Sequence, residues 1–229
     1  MALLARLRLR EGFNINMSLI LFGAPGAGKG TQSNMISSEY KYLHLSTGDM
    51  LRKEVANKTD LGLEVKEMMS SGALVPDSIV ISIIEKELVV NKCDFVLDGF
   101  PRTLSQAIEL EKLLEKMSIN QPKVILIDVN ISALLARLTG RRVCSICGAV
   151  YNVEFSPPKT TNKCDSCGGE LFQRDDDKEE VITKRLIAFN QNMEPLKNYY
   201  STNGRLQFVS GDGDRDFVFA QIKRILSVN

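Results

Sequence analysis

A short apolar segment that runs straight into a glycine-rich loop constrains the fold of this chain more than any other feature. Residues 19–31 read Leu-Ile-Leu-Phe-Gly-Ala-Pro-Gly-Ala-Gly-Lys-Gly-Thr, and a helix is expected to begin at Thr31. The spacing of Gly23, Gly28 and Lys29 is that of a P-loop, whose backbone N–H groups surround a polyphosphate while the lysine contacts its β- and γ-phosphates. A chance glycine-rich turn does not require a strand before it and a helix after it. The pattern therefore predicts nucleotide binding.

One position departs from the usual P-loop pattern. Gly30 follows Lys29 where Ser or Thr is common, and the hydroxyl comes one residue later, at Thr31. The expected helix would still direct its positive N-terminal end at the bound phosphates.

The composition narrows the class of protein. The chain has 229 residues, of which 44% are hydrophobic and 25% charged, and its formal net charge is +1. These values predict one compact α/β domain with one or two insertions. A net charge near zero gives no electrostatic reason to expect a nucleic acid or a membrane surface as a partner. No apolar run approaches the roughly 20 residues of a transmembrane helix.

The first sixteen residues have their own composition. Residues 1–16 carry Arg6, Arg8 and Arg10 among leucines, with Glu11 as their one acid. An arginine-rich, acid-poor start resembles an organellar presequence, but this one lacks serine. The alternative is that Met17 is the working start. We expect a disordered extension at 1–16 and a single domain over 17–229.

Apolar strands alternate with helical patterns along the rest of the chain. The apolar runs lack the alternation of a half-exposed strand, so each is expected to be covered on both faces. This order predicts a five-stranded parallel sheet flanked by helices, with ligands at the carboxyl ends of the strands. The expected strands after residues 19–22 are 42–45, 95–97, 124–129 and 206–209, and the expected helices include 79–91, 104–116, 132–138, 178–190 and 217–227.

Two further motifs follow predicted strands. Residues 46–52 read Ser-Thr-Gly-Asp-Met-Leu-Arg, in which Ser46 or Thr47 can cap a helix and Arg52 lies one turn further on. An arginine there can hold a phosphate through two parallel hydrogen bonds. For each arginine of this kind, the alternative is a solvated surface charge.

The second of these motifs combines an acid, a turn and an arginine. Residues 97–102 read Leu-Asp-Gly-Phe-Pro-Arg. Asp98, at the expected end of a strand, is placed to hold the water shell of Mg²⁺, as the acidic residue of many P-loop enzymes does. Arg102 is expected to project towards the same site, although Asp-Gly alone would indicate only a turn.

Four cysteines form two pairs with metal-binding spacing. Cys144 and Cys147 make one pair, Cys164 and Cys167 the other, and a glycine follows each pair. Two such turns can bring four thiolates to one tetrahedral Zn²⁺. Disulfides, a redox pair or iron in place of zinc are the alternatives. A fifth cysteine, Cys93, is expected to be a buried apolar residue.

These motifs together resemble adenylate kinase. The stretches on which the resemblance rests are GAPGAGKGT, STGDMLR, DGFPRT, the Gly-Arg-Arg at 140–142, Gln-Arg-Asp-Asp-Asp at 173–177 and Lys-Arg at 184–185. The resemblance runs from Met17 to the C-terminus and is to the long-lid form whose lid binds zinc. It implies a core (17–45, 76–139 and 178–229), a helical AMP-binding segment at 46–75, and a small β-rich lid at 140–177 that closes over the substrates.

The resemblance also implies roles for individual residues. Those expected to stabilise the transferring phosphoryl group are Lys29, Arg102, Arg141, Arg174 and Arg185. Those expected to bind ATP are Gly26, Ala27, Gly28, Lys29, Gly30, Thr31, Arg137, Arg141, Val150, Tyr151 and Gly213. Those expected to bind AMP are Thr47, Arg52, Ala73, Leu74, Val75, Gly99, Arg102, Gln106, Arg174 and Arg185.

Two aspartates near residue 177 allow two interpretations. Asp177 with Glu180 fits a capping box for a helix beginning near Lys178. The resemblance instead places Asp176 and Asp177 at the hinge of the lid, where they would orient arginines and Mg²⁺-bound waters.

The implied reaction is reversible transfer of the terminal phosphoryl group of Mg-ATP to AMP, giving two ADP. A GTP:AMP phosphotransferase is the alternative, and an organellar presequence at residues 1–16 would fit that enzyme. A UMP/CMP kinase is a further alternative, but it would have a short lid. A zinc-ribbon nucleic-acid binder is a further alternative, but the charges of residues 140–177 nearly balance and offer no basic face. The only histidine, His44, is expected to be structural. We expect a cytoplasmic monomer that uses Mg²⁺ and a structural Zn²⁺.

Overall fold

The structure is a computed structural model that describes residues 17–91 and 93–227. The expectations for residues 1–16 concern a part of the chain that lies outside the described residues. Within the described ranges, no helix is long and apolar enough to cross a membrane.

The described residues form strands and helices in the predicted alternation. The strands are β1 Leu19–Phe22, β2 Leu43–Ser46, β3 Phe95–Asp98, β4 Lys123–Asp128, β5 Arg141–Cys144, β6 Val150–Asn152, β7 Leu171–Phe172 and β8 Leu206–Ser210. The helices are α1 Lys29–Tyr40, α2 Thr47–Ala56, α3 Asp60–Ser71, α4 Asp77–Val90, α5 Leu104–Lys116, α6 Ile131–Thr139, α7 Glu179–Thr202 and α8 Arg215–Ser227.

Five strands form the predicted parallel sheet, in the order β2-β3-β1-β4-β8. Successive residues of β1 alternate between two buried clusters, with Ile20 and Phe22 on one face and Leu19 and Leu21 on the other. Both faces are therefore covered, which explains why the strand sequences are apolar throughout.

The carboxyl ends of the sheet carry the sequence motifs. Leu21 of β1 is in register with Asp98 of β3, and Asp98 with Ser46 of β2. The P-loop, the 46–52 motif and the 97–102 motif therefore leave the sheet at one edge, as expected of ligand sites in parallel sheets.

A second, small sheet is formed by the part of the chain between α6 and α7. Its three antiparallel strands are in the order β6-β5-β7, and the first of the four paired cysteines, Cys144, is the last residue of β5. Its own buried cluster holds only Cys144, Cys164 and Leu171, with two partly buried neighbours. A unit with so small an apolar core needs another source of stability.

Two local predictions differ from the structure. The helix predicted to end at 190 continues as α7 to Thr202, past Pro195. The backbone bond lost at a proline is offset here by tertiary packing, because Leu196 and Tyr200 are buried in the main core. Cys93 is exposed, not buried as predicted, because it lies in the turn between α4 and β3.

Candidate active site

One large cavity contains nearly all of the predicted site residues. Its volume is about 1390 Å³, more than the 300–1,000 Å³ that is typical of a site for a single small molecule. The walls come from the P-loop, the start of α2, the 73–75 segment, the β3–α5 turn and the small sheet. All the residues predicted to contact ATP, AMP or Mg²⁺ line it; of the four paired cysteines, only Cys144 and Cys147 do.

The P-loop adopts a conformation that depends on glycine. Gly28, the residue before α1, has φ +94°, a left-handed backbone that side chains rarely adopt. A Cβ there would have no protein atom within 4 Å, so the space beside Gly28 is open. At Gly26 a Cβ would lie 2.9 Å from Leu138 Cγ, so a side chain would collide with α6.

Lys29 projects back over the loop. Its Nζ donates to the carbonyl oxygens of Gly23 and Ala24, at 2.8 and 2.9 Å. Burial lowers the pKa of this amine to about 8, and the nearby Asp98 carboxylate only partly opposes that effect. A phosphate at this position would supply the negative charge that the lysine lacks.

Asp98 lies at the carboxyl end of β3, beside the P-loop. Its Oδ2 is 3.2 Å from the position of a Cβ on Gly30, so the glycine that departs from the usual P-loop pattern leaves room for this carboxylate. His44 Nε2 is 3.8 Å from the same oxygen, and His44 Nδ1 is 2.9 Å from Oδ1 of Asn34. His44, which was expected to be structural, lines the cavity.

Helix α2 begins as the sequence predicted. Ser46 is the residue before it, and its hydroxyl accepts a hydrogen bond from Asp49 N at 3.3 Å. Asp49 Oδ1 in turn accepts from Arg52 at 2.6 Å and from Arg174 at 3.1 Å. Burial by itself would raise the pKa of Asp49, but Arg52 and Arg174 outweigh burial and lower it. One carboxylate thus joins two arginines that were predicted to bind phosphate.

The turn after β3 holds its side chains through backbone carbonyls. Arg102 Nε donates to the Gly99 oxygen at 2.7 Å, and Thr47 Oγ1 donates to the same oxygen at 3.3 Å. Gln106 is buried, and its amide is engaged within the protein: Nε2 donates to Asp77 Oδ1 and Oε1 accepts from Arg102 N, both at 2.7 Å. Gln106 is thus bound to its neighbours, and not free to contact a ligand in this conformation.

Asp177 is the most buried charged residue of the site, with none of its surface exposed. Its two oxygens accept from Arg141 Nε and Nη2, at 2.7 and 2.5 Å, and Oδ1 also lies 3.3 Å from Arg185 Nη1. Asp176 is paired with Arg185 at 3.0 Å. The capping-box interpretation of Asp177 is wrong, because Lys178 precedes α7 and no side chain caps that helix.

The arginines of the cavity differ in how well their charge is compensated. For Arg141, burial alone would lower the pKa, but Asp177 outweighs burial and raises it. For Arg102, burial and the neighbouring Arg185 lower the pKa to about 10. For Arg174, burial and the neighbouring Arg52 likewise lower it to about 10. The site therefore holds excess positive charge, which an anion in the cavity would stabilise.

The far end of the cavity is lined by α6, β6 and the loop after β8. Arg137 NH2 donates to the Gly211 oxygen at 3.2 Å, close in sequence to Gly213. Val150 is half exposed and lines the cavity next to Tyr151. The Tyr151 hydroxyl, however, lies 3.5 Å from Cys164 Sγ, on the side of the paired cysteines.

The four paired cysteines converge as their spacing predicted. Their sulfur atoms all lie within 4.8 Å of one another, with Cys144–Cys167 at 3.4 Å and Cys147–Cys164 at 3.5 Å. Four sulfurs bound to Zn²⁺ at about 2.3 Å would be about 3.8 Å apart, so this donor set fits a tetrahedral metal. A hydrogen bond from Tyr151 lowers the pKa of Cys164 to about 6, which favours the thiolate that a metal needs.

Asp49 is the clearest functional residue that the sequence reasoning missed. Its position three residues before Arg52 on one helix was the signal, because i and i+3 side chains are neighbours. Its second partner, Arg174, is 125 residues away in the chain and could not be found that way. Lys53 also lines the cavity without having been predicted.

Comparisons with known proteins agree with this geometry. The family model described as "Adenylate kinase" matches residues 21–205. A curated adenylate kinase of Thermodesulfovibrio yellowstonii is 50% identical over 212 residues, which are 92% of this chain and 99% of that protein.

Two other curated relatives give the same result. The adenylate kinase of Carboxydothermus hydrogenoformans is 49% identical and that of Bacillus subtilis 47% identical, each over 92% of this chain and at least 98% of its own length. The residues that the family model matches include the P-loop, six of the seven arginines that line the cavity and the paired cysteines. The fold, the site and these relatives together show that the chain belongs to the adenylate kinase family.

Proposed function

We propose that this chain transfers the terminal phosphoryl group of Mg-ATP to AMP, reversibly, giving two ADP. One observation carries the proposal: Lys29 and seven arginines line a single cavity large enough for two nucleotides. Phosphoryl transfer passes through a loose transition state whose charge must be neutralised and whose reactants must be aligned. A site rich in fixed positive charge suits that reaction.

The cations fall into three proposed groups. Arg52 and Arg102 lie near Thr47 and Gly99, where we place the AMP phosphate. Lys29 lies over the P-loop, where we place the ATP phosphates. We place Arg141, Arg174 and Arg185 between these positions, where they would stabilise the transferring group. Asp176 and Asp177 act on this step by fixing the arginines.

The nucleotide bases would occupy the two ends of the cavity. For the ATP adenine we propose Arg137, Val150, Tyr151 and Gly213, with the phosphates along residues 26–31. For the AMP adenine we propose Thr47, the 73–75 segment and Gln106. Because Gln106 is bound to Asp77 and Arg102 N, it would contribute by shaping the pocket unless AMP binding breaks one of these bonds.

The metal that accompanies ATP would bind at the P-loop edge. Thr31 and Asp98 would hold its water shell, and the position of the Asp98 carboxylate beside Gly30 of the P-loop supports this placement. When bound, Mg²⁺ neutralises charge on the phosphates. The arginines of the cavity would neutralise the negative charge on the phosphates that Mg²⁺ leaves.

We propose that residues 46–75 and 140–177 act as two closing segments on the remaining core. The contact between Arg174 and Asp49 supports this, because it joins the base of the second segment to α2 of the first. Closure of both segments would exclude water, which would otherwise compete with AMP for the phosphoryl group.

We propose that the four paired cysteines hold a structural Zn²⁺. The converging sulfurs support it, and the small apolar cluster of the lid gives a reason for it. Because all four positions are filled by thiolates, none is left for catalysis. Cysteines that form no disulfide fit the reducing cytoplasm, and one chain lines the whole cavity, so we propose a cytoplasmic monomer.

The donor assay tests the reaction. AMP is offered with ATP or with GTP, and ADP or GDP formation is followed under identical conditions. We expect turnover with ATP to exceed turnover with GTP by at least about tenfold in kcat/KM, a difference of about 1.4 kcal/mol. A preference for GTP would identify a GTP:AMP phosphotransferase, and no transfer with either donor would contradict the proposal.

The lowered pKa of Lys29 predicts proton uptake on ATP binding. With a pKa of about 8, most of the free amine is neutral at pH 8.5, and nearby phosphates would raise that pKa and protonate it. Calorimetry of ATP binding at pH 8.5, in two buffers of different ionisation enthalpy, should show uptake that falls away at pH 7. The uptake should persist in Lys112→Met, an exposed control, and be lost in Lys29→Met. Equal binding enthalpies in both buffers would contradict this prediction.

The metal is expected to affect stability more than rate. We expect Cys164→Ser to lower Tm on the order of 5–10 °C, as for a loss of about 2–3 kcal/mol, with a modest loss of turnover. Cys93→Ser is the matched control, since Cys93 is exposed and outside the cluster. Thermal unfolding and turnover at 25 °C measure the two effects. A collapse of turnover in Cys164→Ser while its lid is still folded would contradict this prediction.

A further inference from the structure

Tyr151 faces both the nucleotide cavity and the paired cysteines. It is the middle residue of β6, pairs with Arg142 of β5, and lines the cavity. Its hydroxyl oxygen lies 3.5 Å from Cys164 Sγ and accepts a hydrogen bond from Asp165 N at 2.8 Å. The hydroxyl thus touches a residue of the second cysteine pair and its neighbour.

The direction of the Tyr151–Cys164 hydrogen bond follows from the number of protons. A hydroxyl has one proton to donate, and the Asp165 N–H already fills an acceptor position on the oxygen. A metal-bound thiolate has no proton, so the hydroxyl must be the donor. The buried sulfur of Cys164 then gains a donor without losing its capacity to bind a metal.

We propose that the Tyr151 hydroxyl is an outer-shell donor to the Cys164 thiolate, and that Tyr151 is therefore a positioning residue of the metal centre. This inference rests on the proposed metal site. Partners of this kind orient the ligand and tune its basicity, and their loss typically weakens metal binding by 10- to 100-fold. The residue assigned to the ATP end of the cavity thus also supports the lid metal.

A purely structural role predicts something different. If the hydroxyl served only the Asp165 N–H, its removal would cost stability by leaving that donor unpaired. It would leave the thiolates, and so the affinity for metal, unchanged. Metal affinity and the spectrum of the metal–sulfur bonds therefore separate the two roles, whereas Tm alone does not.

The test compares Tyr151→Phe with wild type and with Tyr199→Phe. Tyr199 is the matched control, because its hydroxyl also makes a short bond, to Glu111, and its side chain packs against the main core and not against the cysteine cluster. Zinc affinity is measured by competition with a chromophoric chelator, and the thiolate-to-metal charge-transfer bands are recorded with Co²⁺. We expect about tenfold weaker zinc binding and shifted charge-transfer bands in Tyr151→Phe alone.

Zinc affinity within twofold of wild type, with unshifted cobalt bands, would overturn the inference while leaving the metal site intact. A wild-type protein that binds neither metal would instead overturn the proposed site, and the inference with it. If Tyr151→Phe does not fold, 3-fluorotyrosine incorporated into wild type tests the same bond. Its more acidic hydroxyl donates more strongly, so the cobalt bands should move, and bands that stay in place overturn the inference.

Discussion

The crowding of positive charge around one cavity is the constraint on which the site depends. Arg141 lies at the start of the lid segment and Arg185 lies beyond its end, in α7, yet both bind the fully buried carboxylate of Asp177. Removing one partner from a buried ion pair costs about 3–5 kcal/mol, because the other charge is left unpaired. Asp49 plays a similar part for Arg52 and Arg174. These carboxylates hold the arginines without neutralising all of them.

The parallel sheet determines where this charge collects. β1, β2 and β3 end at one edge, and each passes directly into a motif: the P-loop, the start of α2, and the turn that carries Arg102. The apolar core on both faces of the sheet fixes these ends relative to one another. The small sheet adds Arg141, while the base of α7 adds Arg185. The parallel sheet thus positions one side of the site. The other side comes from segments that have small apolar cores of their own.

Much of this arrangement could be predicted from the sequence, because it depends on short-range patterns. Apolar runs with turn glycines predicted the five parallel strands, and cysteine spacing predicted the convergence of four sulfurs. Contacts between distant segments could not be predicted in the same way. The extension of α7 past Pro195 depends on the packing of Tyr200, which local propensity does not contain.

Polar partners were the hardest feature to predict. Asp177 allowed two interpretations: its spacing to Glu180 fitted a helix cap, and the resemblance placed it at the lid hinge as a residue that orients arginines. Only the fold brings Arg141 to it from 36 residues away. The Tyr151 hydroxyl is similar: its residue was assigned to the nucleotide, and its bond to Cys164 depends on the pairing of β5 with β6.

The dependence of the site on Asp177 can be measured directly. Asp177→Asn keeps the shape of the side chain and removes its charge; Asp175→Asn, at an exposed position in the same turn, is the matched control. With both variants folded at 25 °C, we expect kcat to fall by at least about 100-fold in Asp177→Asn, as arginines lose their alignment, and to stay near wild type in Asp175→Asn. An unchanged kcat in Asp177→Asn would contradict the view that this buried carboxylate organises the catalytic arginines.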